Sequence, residues 1–166
     1  MKKLVLIRHA KSDWHSNAAT DFDRPLNKRG RKNAPIMGKR LAERGCSPDL
    51  LLSSPAQRAR ETAEAIAEQF NLTGADITFE QSIYEASLAT LTKLLHSLDN
   101  ELENVILIGH NPGVSELGEW LTDDAPEWLP TCGLLALELT IDVWSEASAG
   151  CAFLAAYDYP KKVGPD

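Results

Sequence analysis

Short apolar runs alternate with longer amphipathic stretches along the chain. Residues 4–7, Leu-Val-Leu-Ile, form a continuous apolar run closed by Arg8 and read as a buried strand. A helical pattern extends from about Asn33 to Arg44, with Asn33 as its N-cap, Pro35 in the first turn and Gly45 as its stop. Residues 50–52 predict a second short strand, after which Ser54 caps a helix that starts at Pro55 and runs to about Phe70. Ala59, Ala63, Ile66 and Ala67 share one face of that helix, a smooth surface suited to packing on a sheet. Residues 77–79 predict a third strand and residues 88–98 a helix. Residues 105–108, Val-Ile-Leu-Ile, are the clearest strand, apolar without alternation as in a parallel strand covered on both faces. Asn111-Pro112 opens a helix to about Leu121. Residues 134–141 and 151–157 predict two closing strands, and the Ser145 to Gly150 link allows them to pair antiparallel as a hairpin.

This alternation specifies an α/β fold, a three-layer sandwich around a mostly parallel sheet. No repeat or linker divides the chain, so residues 1–166 are expected to form a single domain. Its 24 acidic and 17 basic side chains give a net charge of -7, which disfavours nucleic acid and anionic membranes as partners. Any anion must therefore be met by a local pocket. Cys46, Cys132 and Cys151 are far apart and form no C-x-x-C pair, as expected of reduced thiols. The apolar run after Met1-Lys2-Lys3 is too short for a signal peptide, and no stretch approaches a membrane span. A cytoplasmic location is the expectation.

Basic residues at strand exits carry the candidate chemistry. Arg8 and His9 directly follow the first strand. Arg58 lies in the first turn of the helix after the second strand, and His110 follows the strand at 105–108, preceded by Gly109. In an open α/β sheet ligands bind outside the carboxyl ends of the strands, so these four residues share one address. A cation in a first helical turn opposes the macrodipole by about 0.3–1 kcal/mol. An anion bound at that terminus would remove the conflict. Arg60 falls on another face. His15 and His96 begin no ligand pair, and no motif gathers metal ligands, so neither metal nor cofactor is expected. Trp120 and Trp128 are expected to pack, whereas Trp14 lies in a loop near the pocket and is a candidate to gate it.

The stretches Leu6-Ile7-Arg8-His9-Ala10-Lys11-Ser12, Arg24-Pro25-Leu26-Asn27 with Gly30, Ser53-Ser54-Pro55-Ala56-Gln57-Arg58-Ala59 and Gly109-His110-Asn111-Pro112 resemble the histidine phosphatase superfamily. Within it the chain is most similar to short SixA-type phosphohistidine phosphatases. The resemblance implies a phosphoglycerate mutase-like fold. It also implies His9 as the nucleophile that takes up phosphate, with Arg8, Arg58 and His110 completing the phosphate pocket. Glu85, within Ile83-Tyr84-Glu85-Ala86-Ser87, lies where the superfamily often places its acid; Glu80 and Asp13 are further carboxylates. Ala10 replaces the family's commoner Gly, and Lys11 and Trp14-His15 replace the Glu and Trp-Asn of mutase-like members. The Arg-His-Tyr-Gly stretch of the mutases is absent, which argues against mutase activity. The segment between Phe79 and Asn104 is too short for the cap of phytase-like members. Three functions follow as alternatives: a phosphatase of protein phosphohistidine, a phosphatase of small phosphate esters with Glu85 as acid, and a phosphoprotein-binding module without turnover. An imidazole leaving group, with a pKa of about 6.5, needs little help from an acid, which favours the first. The intact set of four residues disfavours the third.

Overall fold

The two most apolar runs become the central strands of the computed structural model, which describes residues 1–162. The last four residues of the expected domain lie outside the described residues. In chain order the elements are β1 (Lys2–Arg8), α1 (Lys28–Glu43), β2 (Leu50–Ser53), α2 (Gln57–Glu68), β3 (Ile77–Phe79), α3 (Leu88–His96), β4 (Asn104–Gly109), α4 (Gly113–Leu121), β5 (Leu134–Leu139) and β6 (Ala152–Asp158). They build one six-stranded sheet in the order β3-β2-β4-β1-β5-β6. β3, β2, β4 and β1 run parallel, whereas β5 pairs antiparallel with both β1 and β6. The expected mostly parallel sheet with an antiparallel closing pair is what forms.

Side chains that alternate between two covered faces explain why residues 4–7 of β1 and 105–108 of β4 are apolar without a break. Leu4 and Leu6 join Val105 and Leu107 in one core with Leu91 and Leu95 of α3 and Val114, Leu117 and Leu121 of α4. Val5 and Ile7 join Ile106 and Ile108 in the other, with Met37 and Leu41 of α1 and Ala59, Ala63, Ile66 and Ala67 of α2. Each side of these strands thus buries its own layer, which is why residues 4–7 and 105–108 are apolar on both faces.

Two helix starts differ from expectation. α1 begins at Lys28, and its N-cap is Asn27, whose side chain accepts from Gly30 N at 2.8 Å; Asn33 and Pro35 are inside the helix. The added residues 28–32 are polar around Gly30 and carry no apolar period, so the pattern begins only later. α2 begins at Gln57 with Ala56 as N-cap, two residues after the expected Ser54 cap. Ser54 Oγ accepts from Ala56 N at 3.2 Å in a turn ahead of the helix, and its hydroxyl lies 2.8 Å from His110 Nε2. Gly45 does stop α1, in the left-handed conformation at φ 85° that suits glycine.

α1 is docked closely onto the loop that follows β1. A Cβ on Gly30 would stand 2.2 Å from the Lys11 carbonyl oxygen. The same loop is pinned by a bridge between Ser12 and Leu26 and by the Asn27 N to Lys11 O bond of 2.9 Å. Gly30→Ala should therefore push α1 off this loop and destabilise the protein by about 1–3 kcal/mol. The readout is the midpoint of urea unfolding, and an unchanged midpoint would refute the close approach.

Candidate active site

The site begins with backbone bonds that continue past the strand ends. β1 and β4 are registered so that Arg8 faces Gly109, and β4 and β2 so that Ile108 faces Ser53. Beyond them, His9 N donates to Gly109 O at 3.0 Å, and Ser54 N donates to Ile108 O at 3.0 Å. His9, His110 and Ser54 thereby share one edge of the sheet. The rings of His9 and His110 lie 5.1 Å apart between centres, tilted by 54°.

Each of the four candidates is individually held. His9 Nδ1 lies 2.7 Å from the Ala10 carbonyl, so this nitrogen carries the proton and donates, leaving Nε2 with a free lone pair. Arg8 Nη1 donates to Leu129 O at 3.1 Å, and among the described residues no carboxylate pairs with it. Arg58 forks onto Asp21, to the backbone oxygen at 2.8 Å and to the carboxylate at 3.0 Å. His110 Nε2 sits 2.8 Å from Ser54 Oγ. Thr62, fully buried, joins the parts: its hydroxyl donates to Arg58 O at 2.7 Å and accepts from Ala10 N at 3.0 Å. One side chain thus ties the first turn of α2 to the residue after His9.

The cleft these groups border has a volume of about 370 Å³ and is lined by Arg8, His9, Arg24, Arg58, Glu85 and His110, among others. Among the described residues, the buried side-chain nitrogens and oxygens without a partner are Arg8 Nε, Arg24 Nε, Arg58 Nε and His110 Nδ1. All four belong to residues of this cleft. A second cleft of about 380 Å³ opens between the end of α1 and β1, β5 and β6, with Lys3, Arg44 and Cys46 in its wall. Size does not separate the two, but the second gathers neither histidine nor buried cation.

Glu85 reaches the cleft wall but is exposed and accepts no hydrogen bond among the described residues. Its backbone is left-handed at φ 55°, a conformation costing of order 1–3 kcal/mol in a residue other than glycine. Cys132, whose N–H donates to His9 O at 3.1 Å, shares that conformation at φ 57°. Glu80 and Asp13 stand outside the cleft lining, and Asp13 accepts instead from His15 N at 2.8 Å. His96 bonds the Ala147 carbonyl at 2.8 Å, a structural role. Trp120 packs against the core, but Trp128 does not; it is 56% exposed, with the Arg8 guanidinium 5.7 Å from its ring centre. Arg60 leaves the cleft and covers Phe79 at 3.9 Å.

Asp21, Arg24, Tyr84 and Thr62 are the site residues that sequence reasoning missed. Asp21 accepts from Tyr84 Oη at 2.7 Å and from the Arg24 and Arg58 guanidiniums at 3.0 Å each. These bonds, the Tyr84 hydroxyl foremost, hold its carboxyl well below the usual carboxylate range. Burial and the bond to Asp21 push the Tyr84 phenol up to about 12. The Arg24-Pro25-Leu26-Asn27 run was noted, yet only its Arg faces the cleft.

Among the described residues no group of three or more His, Cys, Asp and Glu side chains stands close enough to hold a metal ion. Likewise, no helix there is long and apolar enough to cross a membrane.

With this geometry in view, residues 4–108 match the sequence profile of the histidine phosphatase superfamily, branch 1. The chain belongs to that superfamily. An uncharacterised chloroplastic protein of Arabidopsis thaliana is 32% identical over 158 residues, covering 89% of this chain and 71% of the relative. A candidate phosphohistidine phosphatase SixA from Agrobacterium tumefaciens has a crystal structure that superposes with a TM-score of 0.81 at 32% identity, covering 96% of this chain and 98% of that one. The protein histidine phosphatase SixA in complex with tungstate gives a TM-score of 0.80, covering 95% and 97%; at 22% identity it bears on the fold alone. The fold is thus phosphoglycerate mutase-like, and SixA-type proteins are the chain's structural neighbours.

Burial opposes charge on both imidazoles. It lowers His9 from 6.5 to about 3, with the His110, Arg58 and Arg8 charges acting in the same direction. His110 falls to about 4, by burial first and by Arg58 next. An unfolded histidine titrates near 6.5, so below that pH the unfolded chain takes up protons that the folded site refuses. Stability is therefore full above about pH 6.5 and declines as pH falls toward 3. Imidazole nitrogen NMR should show His9 protonated on Nδ1 and bare on Nε2 from about pH 7 to about pH 5. Protonation of His9 near pH 6.5 in the folded protein would contradict this electrostatic picture.

Proposed function

We propose that the protein is a phosphatase that takes the phosphoryl group onto His9 and releases it to water, with protein phosphohistidine as its substrate. One observation carries the reading: His9 Nδ1 is tied to the Ala10 carbonyl at 2.7 Å, so the bare Nε2 is the nucleophile, flanked by Arg8 and Arg58. Membership of the histidine phosphatase superfamily supports phosphatase chemistry. A phosphoryl group repels nucleophiles through its own oxygens, and guanidinium forks neutralise and orient those oxygens. Among the described residues Arg8 has no carboxylate partner; Arg24 and Arg58 add their charge to its field, and the neutral His110 ring lines the same cleft. In the first step a bond forms from His9 Nε2 to phosphorus while the bond to the leaving group breaks, its electron pair going with that group. Water then attacks the phosphohistidine, giving inorganic phosphate and restoring His9. The SixA neighbours are named for phosphohistidine, and one of them holds tungstate, a tetrahedral oxyanion. The name of the 32% identical neighbour favours this substrate class, whereas an oxyanion would stand in for any phosphoryl group.

The choice of an N–P bond also follows from the carboxylates. Asp21 is held ionised by three donors and cannot act as an acid at neutral pH. Glu85 is the other carboxylate in the cleft wall, and it is exposed at the rim. A leaving imidazole needs little protonation, whereas an alkoxide needs a placed acid worth roughly 10²–10⁴-fold. The Phe79 to Asn104 segment folds into a short turn and α3, and we read the cleft as uncapped and open to a protein surface. Hydrolysis of small esters with Glu85 as acid is the second reading, favoured by the position of Glu85 in the wall. The deciding experiment compares turnover of a phosphohistidine protein with that of a panel of phosphate esters. Preference for the esters would overturn the first reading in favour of the second.

His9→Ala should abolish turnover, by at least about 10³-fold, while leaving the fold intact, because the ring lies beyond the core strand. Rapid acid-free quenching of the wild type should trap a base-stable phosphoryl group on His9, and its absence there would dismiss the nucleophile assignment. Glu85→Gln should slow alkyl phosphates most, p-nitrophenyl phosphate less and phosphohistidine least. Equal losses on all three would give Glu85 a structural role instead.

A further inference from the structure

Trp14 is 74% exposed yet lines the same cleft as His9, Arg8 and Arg58. Exposure of a single aromatic residue means little by itself. This indole, however, is held in place. The Arg24 guanidinium carbon lies 3.6 Å from its ring centre and so covers one face. Arg24 is itself buried, bonded through one nitrogen to Ser12 and through another to Asp21 at 3.0 Å. The Asp21 carboxylate also fastens Arg58. A rigid chain of contacts therefore runs from the phosphate-facing arginine to the tryptophan, and it leaves one broad aromatic face bare toward solvent. A gate would need a mobile side chain; a ring anchored on a buried guanidinium is a platform.

We infer that Trp14 is a specificity residue whose open indole face stacks on the aromatic ring that carries the phosphoryl group. The inference rests on the reading of the cleft as a phosphoryl-transfer site and deepens it. In phosphohistidine the atom bonded to phosphorus belongs to a flat imidazole. When His9 Nε2 forms its bond to phosphorus, the imidazole leaves with the electron pair and stays aromatic, so the stack persists through the step. An alkyl phosphate or phosphoramidate offers no such face. Aromatic pairs of this kind add about two- to tenfold in affinity beyond simple burial. Trp14 thus separates substrates by leaving group, a task the guanidiniums cannot perform because they meet only the phosphoryl oxygens.

The test uses wild type, Trp14→Leu and Trp14→Phe. Steady-state kinetics would compare phosphoimidazole and p-nitrophenyl phosphate with phosphoramidate and glycerol phosphate, while calorimetry would compare phenylphosphonate with methylphosphonate, neither of which can be hydrolysed. In Trp14→Leu the preference for aromatic over non-aromatic compounds, read as KM and Kd ratios, should shrink about three- to tenfold. Trp14→Phe should restore most of it. Equal losses on both classes would mean that Trp14 acts only by bracing Arg24, and would overturn the inference. Unchanged ratios would overturn it too. The phosphonate arm keeps the two readings apart. A Trp14-dependent preference for phenylphosphonate without any turnover of phosphohistidine would preserve the platform and remove the proposed activity. Turnover of phosphohistidine with ratios indifferent to Trp14 would do the reverse.

Discussion

The register in which β1, β4 and β2 leave the sheet is the constraint on which the rest of the cleft depends. Parallel pairing sets Arg8 against Gly109 and Ser53 against Ile108, and the ladder runs one bond further at each exit. His9, Ser54 and His110 are therefore carried on backbone whose spacing is fixed by the core beneath. A slip of one residue would turn every side chain of a central strand to the wrong face, and both cores forbid it. Left-handed backbone at Glu85 and Cys132 is tolerated beside this frame, because the surrounding bonds determine those positions more strongly than local preference does.

Charge is distributed with the same economy. The chain is acidic as a whole, at -7, yet it concentrates Arg8, Arg24 and Arg58 around one cleft. Such a cluster repels itself, and Asp21 is what makes it tolerable, binding two of the three guanidiniums and the Tyr84 hydroxyl. Asp21 does not reach Arg8, which among the described residues has no carboxylate. The cluster is thus rigid on the Arg24–Arg58 side and uncompensated at Arg8, beside the ring of His9. Fixed cations stabilise an anion far better than mobile ones, since they need no reorganisation when it arrives.

Much of this was legible in the sequence, and the division has a physical cause. Periodicity reports burial, so β1, β4 and the apolar face of α2 were plain, and the strand exits then located Arg8, His9, Arg58 and His110. Residues 28–32 of α1 were not, because they are a polar turn of helix bounded by an Asn27 cap that the apolar pattern cannot see. Ser54 resembled a helix cap because Ser-Pro often is one; in the fold its hydroxyl meets His110 instead. Asp21 lies in an irregular loop 37 residues from Arg58, and no local pattern announces a partner at that range. Thr62 was hidden for the opposite reason. It sits on the buried face of α2 among alanines, where its place in the pattern marks it as core and its hydroxyl is what matters.

The electrostatics of His9 bind these threads to the chemistry. The same cations that would hold a phosphoryl group are among the causes that lower the ring from 6.5 to about 3. A nitrogen so depressed is a weak base and, alone, a poor nucleophile. An anion seated between Arg8 and Arg58 cancels their field at the ring and returns part of that basicity. Nucleophilic strength at Nε2 is then coupled to occupancy of the cleft, and the coupling is reciprocal: an anion that raises the ring's basicity binds more tightly to the protonated form. The tie from Nδ1 to the Ala10 carbonyl keeps this gain on Nε2, the atom proposed to react, instead of dividing it between two tautomers. On the proposed reading, a free site that refuses protons and an occupied one whose Nε2 regains part of its basicity are two states of one arrangement, and the substrate's own charge shifts the first toward the second.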